Sequence, residues 1–457
     1  MKDMTKGSPT RLILAFSLPI LIGSLLQMTY SIADTRIVGT YLGDEALAAV
    51  GATTVLSFLF NGFFTGIANG FAIMTAQKFG AKDRKNVKAS FAAALVMGLA
   101  LAVLFVGITL LLLDPILNFL NVPAELYETA AGYIRIVLAG MVITMLYNVL
   151  IASARAIGDS ITPLLTLTLS VLLNIIGDIV LLRYFHTGVW GAAAATVGAQ
   201  AVTIVICAVY MLQKYDLFRI TGEDIRDCNR GMLRFMLSTG LSMGCMNSLI
   251  GVGSLILQTA VNDLGSSYIV AQSTARKITE VLMSVFVSVG IAMATYCGQN
   301  FGARKYTRIR KGIRTGYWIT CSWCIAVLLI VYTSAAWMVQ AVTGSDDTVM
   351  IEAAVKYLRM DTILYVLVAV IFVQRNALQG VGDRITPLIS SGIEMAGKII
   401  LTYTLVPAWG YDGVIWVEPI VWVVMILPLM KKMRDWNRRI DRKIRLGHES
   451  EASAQEE

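Results

Sequence analysis

Two carboxylates, an amide and a hydroxyl lie inside long apolar stretches of this sequence. They are Asp34 in the first stretch, Asn174 and Asp178 in the fifth, and Thr196 in the sixth. A charged group inside the hydrocarbon of a membrane is costly, so each such acid is a functional candidate. Two carboxylates with neutral oxygens suit Na⁺, a hard cation that prefers oxygen ligands. They also suit a shared proton, because two close carboxylates in a low dielectric cannot both stay ionised. The residue types do not choose between the two ions.

Helical spacing brings these groups onto common faces. Asn174 and Asp178 are four residues apart and share one face of a helix, as do Tyr30 and Asp34. Gln27 lies about one turn below Tyr30 on roughly the same face, so Gln27 and Tyr30 are expected to line a cavity. At about 1.5 Å of rise per residue, the two acids and the hydroxyl reach a similar depth. The alternative is that the acids lie at the rim of a lumen and merely hydrate its mouth.

The later part of the chain carries different charges inside apolar stretches. Glu394 and Lys398 are four residues apart near the middle of the eleventh stretch and are expected to pair. Arg276 and Glu280 have the same spacing in the eighth stretch, where they serve the structure or line a cavity. Arg375, near the inner end of the tenth stretch, is expected to extend to the cytoplasmic surface. Glu280, Glu394 and Lys398 are therefore reserve candidates for the site.

The composition indicates a membrane protein built from helices. The chain has 457 residues, of which 56% are hydrophobic and 15% are charged, whereas soluble domains carry about 25% charged residues. The charges cluster between apolar runs, each longer than the roughly 17 residues that cross a bilayer. The sequence therefore predicts an all-α fold with twelve transmembrane helices. The predicted spans are 11–38, 46–76, 89–113, 130–156, 161–184, 189–213, 232–261, 267–298, 313–342, 354–379, 385–406 and 412–430.

The distribution of Lys and Arg predicts the orientation. The basic loops 77–88, 214–234 and 304–314 follow even-numbered spans, whereas loops after odd-numbered spans are acidic or neutral apart from Arg183. By the positive-inside rule, both termini are cytoplasmic, in the inner (plasma) membrane. This pattern also accounts for the net charge of +8 without nucleic acid as a partner. With only two His residues in the chain, a zinc site is not expected.

Two motifs recur at nearly the same offset. Residues 77–81 (Gln-Lys-Phe-Gly-Ala) match 299–303 (Gln-Asn-Phe-Gly-Ala), 222 positions later. Residues 158–163 (Gly-Asp-Ser-Ile-Thr-Pro) match 382–387 (Gly-Asp-Arg-Ile-Thr-Pro), 224 positions later. In the second motif Gly ends one helix, Thr is expected to cap the next, and Pro begins its first turn. A repeat of six helices gives both halves the same orientation, so a pseudo-two-fold axis along the membrane normal should relate them.

The repeat predicts four parts of the chain. The basic segment after the last span has Trp436, Ile440 and Ile444 interleaved, and is interpreted as a helix on anionic lipid or, alternatively, a solvated tail. The polar end of that segment is expected to be disordered. The four parts are a six-helix N-terminal lobe (1–213), a cytoplasmic linker (214–231), a six-helix C-terminal lobe (232–430) and a basic cytoplasmic tail (431–457).

The two predicted lobes differ in chemistry. With the 224-residue offset, Lys398 occupies the position of Asn174 and Thr402 that of Asp178. Asp34 corresponds to about Ile256, which is apolar. The acid cluster is therefore absent from the second half, and ion coupling is expected in the N-terminal lobe, with the C-terminal lobe completing the substrate path.

The chain resembles the multidrug and toxic compound extrusion (MATE) family, over about residues 10–430. The resemblance lies in residues 30–34 (Tyr-Ser-Ile-Ala-Asp), residues 174–178 (Asn-Ile-Ile-Gly-Asp) and the two Gln-x-Phe-Gly-Ala turns. The pattern is most similar to the prokaryotic DinF-like branch. The resemblance implies a monomeric antiporter that exports cationic or amphipathic organic compounds in exchange for H⁺ or Na⁺, without another metal or cofactor.

The resemblance also implies roles for particular residues. Positions matching Asp34, Asn174, Asp178 and Thr196 form the cation-coupling site, which would also hold any Na⁺. Asn148 matches a further polar position of the family, although a packing role is an equal alternative. Proline in the middle of a helix removes a backbone hydrogen bond and favours a kink. Pro19 lies there in the first span, so we hypothesise that this helix bends as Asp34 changes charge; a static kink is the alternative.

Other classes of function fit the sequence less well. A lipid-linked precursor flippase of the wider superfamily often has extra helices and a strongly cationic cavity, whereas this chain has twelve spans and acids in its first half. A channel or a receptor does not explain buried acids within an internal repeat. No nucleophile–base set or metal cluster indicates an enzyme. The expected partners are therefore small organic molecules and membrane lipids.

Overall fold

The fold is built from long α-helices. A computed structural model describes residues 2–120 and 122–445, so the predicted polar end of the tail, 446–457, lies outside the described residues. The first helical segment, Pro9–Gly80, is interrupted at Gly43 (φ 79°, ψ −175°), a conformation that favours glycine. The long helices are α1 (Pro9–Gly43), α2 (Thr53–Gly80), α3 (Arg84–Leu111), α4 (Tyr127–Ala156), α5 (Ile161–Ile179), α6 (Val189–Lys214), α7 (Arg230–Asn262), α8 (Ser266–Gly302), α9 (Tyr306–Thr343), α10 (the bent pair Thr348–Ile363 and Tyr365–Gly380), α11 (Ile385–Trp409) and α12 (Tyr411–Arg445).

Short segments complete the secondary structure. A π-helical turn, Val180–Tyr184, continues α5. The helix Leu113–Phe119 lies between α3 and α4. A 3₁₀ turn, Asp216–Phe218, and a short helix, Gly222–Arg226, lie between α6 and α7.

The predicted spans correspond to these twelve helices. In the described part of the chain, ten helices are long and apolar enough to cross a membrane, and α10, bent by 53°, makes an eleventh crossing. The remaining helix, α11, has 25 residues, more than the roughly 20 that a transmembrane helix needs. Its buried Glu394 and Lys398 lower its hydropathy. The all-helical, twelve-helix prediction is confirmed.

Large apolar side chains cover much of the outer surface of these helices. Leu104 on α3, Leu165 on α5, Leu329 on α9 and Ile400 on α11 are all more than half exposed. Monomeric soluble proteins rarely expose contiguous apolar surface on this scale. These faces are suited to lipid, which confirms a multi-pass membrane protein.

The helices group into two compact units. The first unit contains Ile22–Gly244 with the first residues of the chain, and the second contains Met4–Leu21 and the chain from Cys245 onward. This division differs from the predicted boundaries, since the first half of α7 belongs to the first unit and the start of α1 to the second. Each unit has its own hydrophobic core. Helix α1 passes from the second unit to the first between Leu21 and Ile22, immediately after Pro19.

Glycines explain why the start of α7 packs in the first unit. Gly66 and Gly70 of α2 face Gly240 and Gly244 of α7, and both pairs have the Gly-x-x-x-Gly spacing. A Cβ on Gly70 would lie 2.6 Å from the Cα of Gly240. Lipid tails are as apolar as the side chains of a membrane helix, so membrane helices associate through close packing of this kind rather than through the hydrophobic effect.

The repeated motif before α5 forms a buried ionic turn. Gly158 adopts φ 82°, and the Asp159 carboxylate accepts hydrogen bonds from the backbone N–H of Ile161 and Thr162, both at 3.0 Å. Burial opposes ionisation of Asp159, but hydrogen bonds from Thr162 and Tyr215 and the charge of Lys214 outweigh it and hold its pKa below the usual range. The expectation that Thr caps the helix is wrong, because Asp accepts the bonds and the Thr hydroxyl donates to it.

The same turn recurs before α11. Gly382 has φ 91°, and Asp383 accepts from the backbone N–H of Ile385 and Thr386, both at 3.1 Å. Lys432 pairs with Asp383 at 3.1 Å. The sequence repeat is therefore also a repeat of local structure, and each motif fixes the start of one helix.

The basic segment after the last span continues helix α12 as far as Arg445. Ile440 is buried, and Trp436 and Ile444 pack against the core of the second unit. Arg310 donates to Asp441. These three apolar side chains therefore contact protein, and the interpretation of the segment as a helix on anionic lipid stays a prediction.

Substitution of Gly70 by Ala should destabilise the protein. The new methyl group would meet backbone atoms of α7, and overpacking of this kind costs about 1–3 kcal/mol. Gly107 on α3 is the matched control, because a Cβ there meets nothing within 4 Å. Gly107→Ala should keep or slightly raise the melting temperature in detergent. Equal melting temperatures for the two variants would contradict the close α2–α7 crossing.

Candidate functional site

The first unit gathers polar side chains from four of its helices. Tyr30 and Asp34 come from α1, Asn174 and Asp178 from α5, and Thr196 from α6. Tyr133 of α4 lies close enough to both acids to interact with their charges. Asp178 is fully buried, Asn174 is 3% exposed, and the other members are half-buried.

The Asn174 amide is the centre of this cluster. In the orientation that satisfies both ends of the amide, its nitrogen donates to the Tyr30 hydroxyl at 2.8 Å and to Oδ2 of Asp178 at 2.9 Å. Its oxygen accepts from the hydroxyl of Thr196 at 3.1 Å and the backbone N–H of Thr196 at 3.2 Å. The amide thereby links α5 to both α1 and α6.

The two carboxyl groups contact each other. The side chains of Asp34 and Asp178 lie within hydrogen-bonding reach of each other, and the Tyr30 hydroxyl lies within reach of Asp34. Oδ1 of Asp178 is buried and receives no N–H or alcohol donor. A hydrogen bond between two carboxyl groups requires a proton on one of them. One proton therefore completes a closed ring formed by Asn174, Tyr30, Asp34 and Asp178.

Three other predicted residues of the first helices lie outside this ring. Gln27 is exposed on α1. Asn148 on α4 is half-buried, and its Nδ2 is buried without a hydrogen-bond partner. Pro19 is half-buried within α1, which continues through it as a helix.

The second unit contains a separate cluster of charges. Lys398 of α11 is 3% exposed, and its Nζ lies 3.3 Å from Oε1 of Glu394 and 3.1 Å from Oε1 of Glu418 on α12. The predicted pair of Glu394 and Lys398 is thus present. Glu280 on α8 is exposed and is outside these ion pairs.

The expectation about Arg375 in the second unit is wrong. Arg375 does not extend to the surface, because it is 6% exposed and pairs with Oε2 of Glu394 at 3.4 Å. The charge of Arg276 interacts with Glu280 on its own helix and with Glu418 on α12. A structural role and a cavity-lining role both stay open for Arg276 and Glu280.

Sequence reasoning overlooked several members of the two clusters. Asp361 is 2% exposed and lies close enough to Glu418 for their charges to interact. Glu418 and Asp361 both lie inside predicted spans, so the rule that marked Asp34 also applied to them. Tyr133 gave no signal, because tyrosine is common in membrane helices.

The described residues contain no group of three or more His, Cys, Asp and Glu side chains that could hold a metal ion. In the first-unit site, the metal-compatible oxygens come from two carboxylates and neutral groups. Such a set of oxygens is chemically compatible with a bound cation or with a shared proton.

The fold and the two clusters define a polytopic membrane protein with buried ionisable groups, the usual mark of an ion or substrate pathway. A family model described as MatE matches residues 19–180 and 232–404. The match covers more than half of the chain, so the chain belongs to the MatE family, as its motifs predict.

Individual relatives agree with this assignment. The Bacillus subtilis protein named "Probable multidrug resistance protein YoeA" is 27% identical over 353 residues, 76% of each chain. "Multidrug export protein MepA" of Staphylococcus saprophyticus is 23% identical over 415 residues, 90% of each chain. A solved structure described as MATE in the bent conformation has a TM-score of 0.88 at 22% identity, and the match covers 96% of this chain and 98% of that one.

Substitution of Asn174 by Ala should destabilise the first unit. The change leaves Oδ2 of Asp178 buried without a donor, and an unsatisfied buried polar group costs about 1–3 kcal/mol. Gln27→Ala on α1 is the control and should stay within about 0.5 kcal/mol of the wild type, as exposed substitutions do. Thermal unfolding in detergent measures both. A melting temperature for Asn174→Ala equal to that of Gln27→Ala would contradict the central role of the amide.

Proposed function

We propose that the chain is a secondary active transporter that exports cationic or amphipathic organic compounds in exchange for a cation. The observation that carries this proposal is the contact between the Asp34 and Asp178 carboxyl groups inside membrane helices. Asn174, Thr196 and Tyr30 complete the site. A buried pair that gains and loses a cation gives the protein two states of different charge, and coupled transport needs such a pair of states.

The relatives support the choice of substrate. The Bacillus protein is named for multidrug resistance and the Staphylococcus protein for multidrug export. The alternative of a lipid-linked precursor flippase is not favoured by these names. It also fits poorly with a first-unit site whose charged members, Asp34 and Asp178, are both acids.

The site offers a place for either coupling ion. One proton between Asp34 and Asp178 would leave every group of the ring with a partner. Na⁺ would find carboxylate oxygens on Asp34 and Asp178, and the Asn174 oxygen as well when the amide takes its other orientation.

The remaining parts of the proposal concern location and assembly. The transporter acts in the plasma membrane with both termini in the cytoplasm, as the basic loops predict, and as a monomer, as the family resemblance implies. The N-terminal lobe couples the ion and the C-terminal lobe completes the substrate path. Asn148, whose buried Nδ2 has no partner, is available to either role.

Asp34→Asn and Asp178→Asn should each abolish ion-driven efflux. The amide cannot exchange a proton, so the site loses its two charge states. Efflux of a cationic dye from proteoliposomes, under an imposed pH gradient or a Na⁺ gradient, measures the effect and names the ion. The control is Asp216→Asn, a surface acid whose side chain is 85% exposed. Wild-type efflux rates in both site variants, at normal expression, would overturn the proposed site.

Pro19→Ala should slow transport without unfolding the protein. Pro19 lies just before the point where α1 changes from one unit to the other, and hinge residues at such positions absorb the conformational change. A solved relative is described as being in a bent conformation. We expect efflux about tenfold slower, equivalent to about 1.4 kcal/mol of barrier, and an altered ion dependence. A wild-type rate with unchanged ion dependence would show that the kink is static.

A further inference from the structure

In the second unit, the ammonium group of Lys398 is surrounded by oxygen atoms, as a bound cation would be. Its Nζ is 3.1 Å from Oε1 of Glu418, 3.3 Å from Oε1 of Glu394 and 3.3 Å from the Ser254 hydroxyl. The Ser254 contact is a hydrogen bond, and the two Glu contacts are ion pairs. The three oxygens come from α12, α11 and α7, so the ammonium group joins three helices.

The two carboxylates are arranged around this ammonium group. In each carboxylate, Oε1 lies next to Lys398 and Oε2 contacts another donor. Oε2 of Glu394 pairs with Arg375 at 3.4 Å, and Oε2 of Glu418 accepts from the Tyr357 hydroxyl at 3.4 Å. The two inner oxygens therefore have Lys398 as their shared cation.

Space for the lysine stem is provided by a glycine. A Cβ on Gly253 would lie 3.1 Å from Cδ of Lys398, so a larger residue would crowd the stem. Gly253 directly precedes Ser254, which contributes the third oxygen. The same stretch of α7 thus makes room for the side chain and binds its end.

In the internal repeat, the position of Lys398 corresponds to a residue of the first-unit site. Lys398 corresponds to Asn174, the centre of the first-unit site, through the same offset that relates the two Gly-Asp-x-Ile-Thr-Pro turns. Thr402 corresponds to Asp178, and its Oγ1 is buried without a hydrogen-bond partner. The first-unit site contains two acids, Asp34 and Asp178, that can share a cation. The second-unit cluster contains two acids, Glu394 and Glu418, whose shared cation is the Lys398 ammonium group.

We infer that Lys398 is a built-in cation that fills a two-carboxylate site in the second unit, so that a mobile monovalent cation binds there only when the ammonium group is removed. The inference holds for either coupling ion. Lys398 then determines how many cations the protein binds, by keeping one of two repeated positions occupied.

The test uses the full-length protein with Asp34→Asn, which neutralises one acid of the first-unit site in every sample. Into this background we would introduce Lys398→Ala, which leaves a space between the two carboxylates, and Lys398→Met, which fills the space without charge. Melting temperatures are compared in choline chloride, sodium chloride and methylammonium chloride at equal ionic strength. Because all variants share Asp34→Asn, failure of the proposed coupling site would not alter the comparison.

We expect Na⁺ or methylammonium to raise the melting temperature of Lys398→Ala by several degrees and to saturate, as a ligand of the folded state does. Lys398→Met should show no such rise. Thr402→Val, one turn away on α11, is the matched control and should behave as the background does. Equal responses of Lys398→Ala and Lys398→Met, or no response in either, would overturn the inference.

A further variant covers the case in which Lys398→Ala does not fold. Glu418→Gln added to Lys398→Ala removes one negative charge together with the positive charge of the ammonium group, and should restore folded protein because Glu394 keeps Arg375 as its partner. Failure of this double variant to fold, while Lys398→Met folds, would assign Lys398 a packing role and would also overturn the inference.

Discussion

A carboxyl group buried among membrane helices must share a proton, pair with a cation or accept hydrogen bonds, because little water is present to solvate it. This constraint shapes both polar clusters of the protein. In the first unit, Asp34 and Asp178 meet each other, and a single proton completes the ring through Tyr30 and Asn174. In the second unit, Glu394 and Glu418 meet the ammonium group of Lys398. In the first unit the acids meet each other, whereas in the second unit their positive partner is covalently attached to the chain.

The scaffold repeats where the chemistry does not. Asp159 and Asp383 cap the starts of α5 and α11 in the same way and pair with Lys214 and Lys432. These turns fix the register of the two helices that carry Asp178 and Lys398. A residue change four turns along such a helix alters the chemistry of the cluster and leaves the framework intact. This separation allows the two related halves to differ in the chemistry of their polar clusters.

Much of the first-unit site could be predicted from sequence, for physical reasons. Asp34 and Asp178 are expensive in an apolar stretch, and the i,i+4 spacing of Asn174 and Asp178 fixes a common face. Tyr133 could not be found, since a half-buried tyrosine carries no comparable penalty. The location of the Arg375 side chain was mispredicted, because the sequence of one helix gives the distance to the surface but does not show the Glu394 carboxylate on the next helix.

The fold was predictable to a similar extent. Twelve long apolar runs specify twelve helices. The boundary between the two units depends on contacts between helices, and sequence patterns do not show which helices pack together. The glycines of α2 and α7 are 170 or more positions apart in the chain, and only their packing shows that the start of α7 belongs with the first unit. The apolar residues near the end of α12 have an amphipathic pattern that fits lipid or protein equally well, and the core of the second unit decides between them.

The most direct test of the account is infrared spectroscopy of the protonated carboxyl stretch in the purified protein. The account predicts that the wild type carries one protonated carboxyl group shared by Asp34 and Asp178. Its band should therefore be lost in Asp34→Asn and in Asp178→Asn alike, and it should titrate with pH in the wild type. A band that persists unchanged in both variants would show that these two acids do not share a proton.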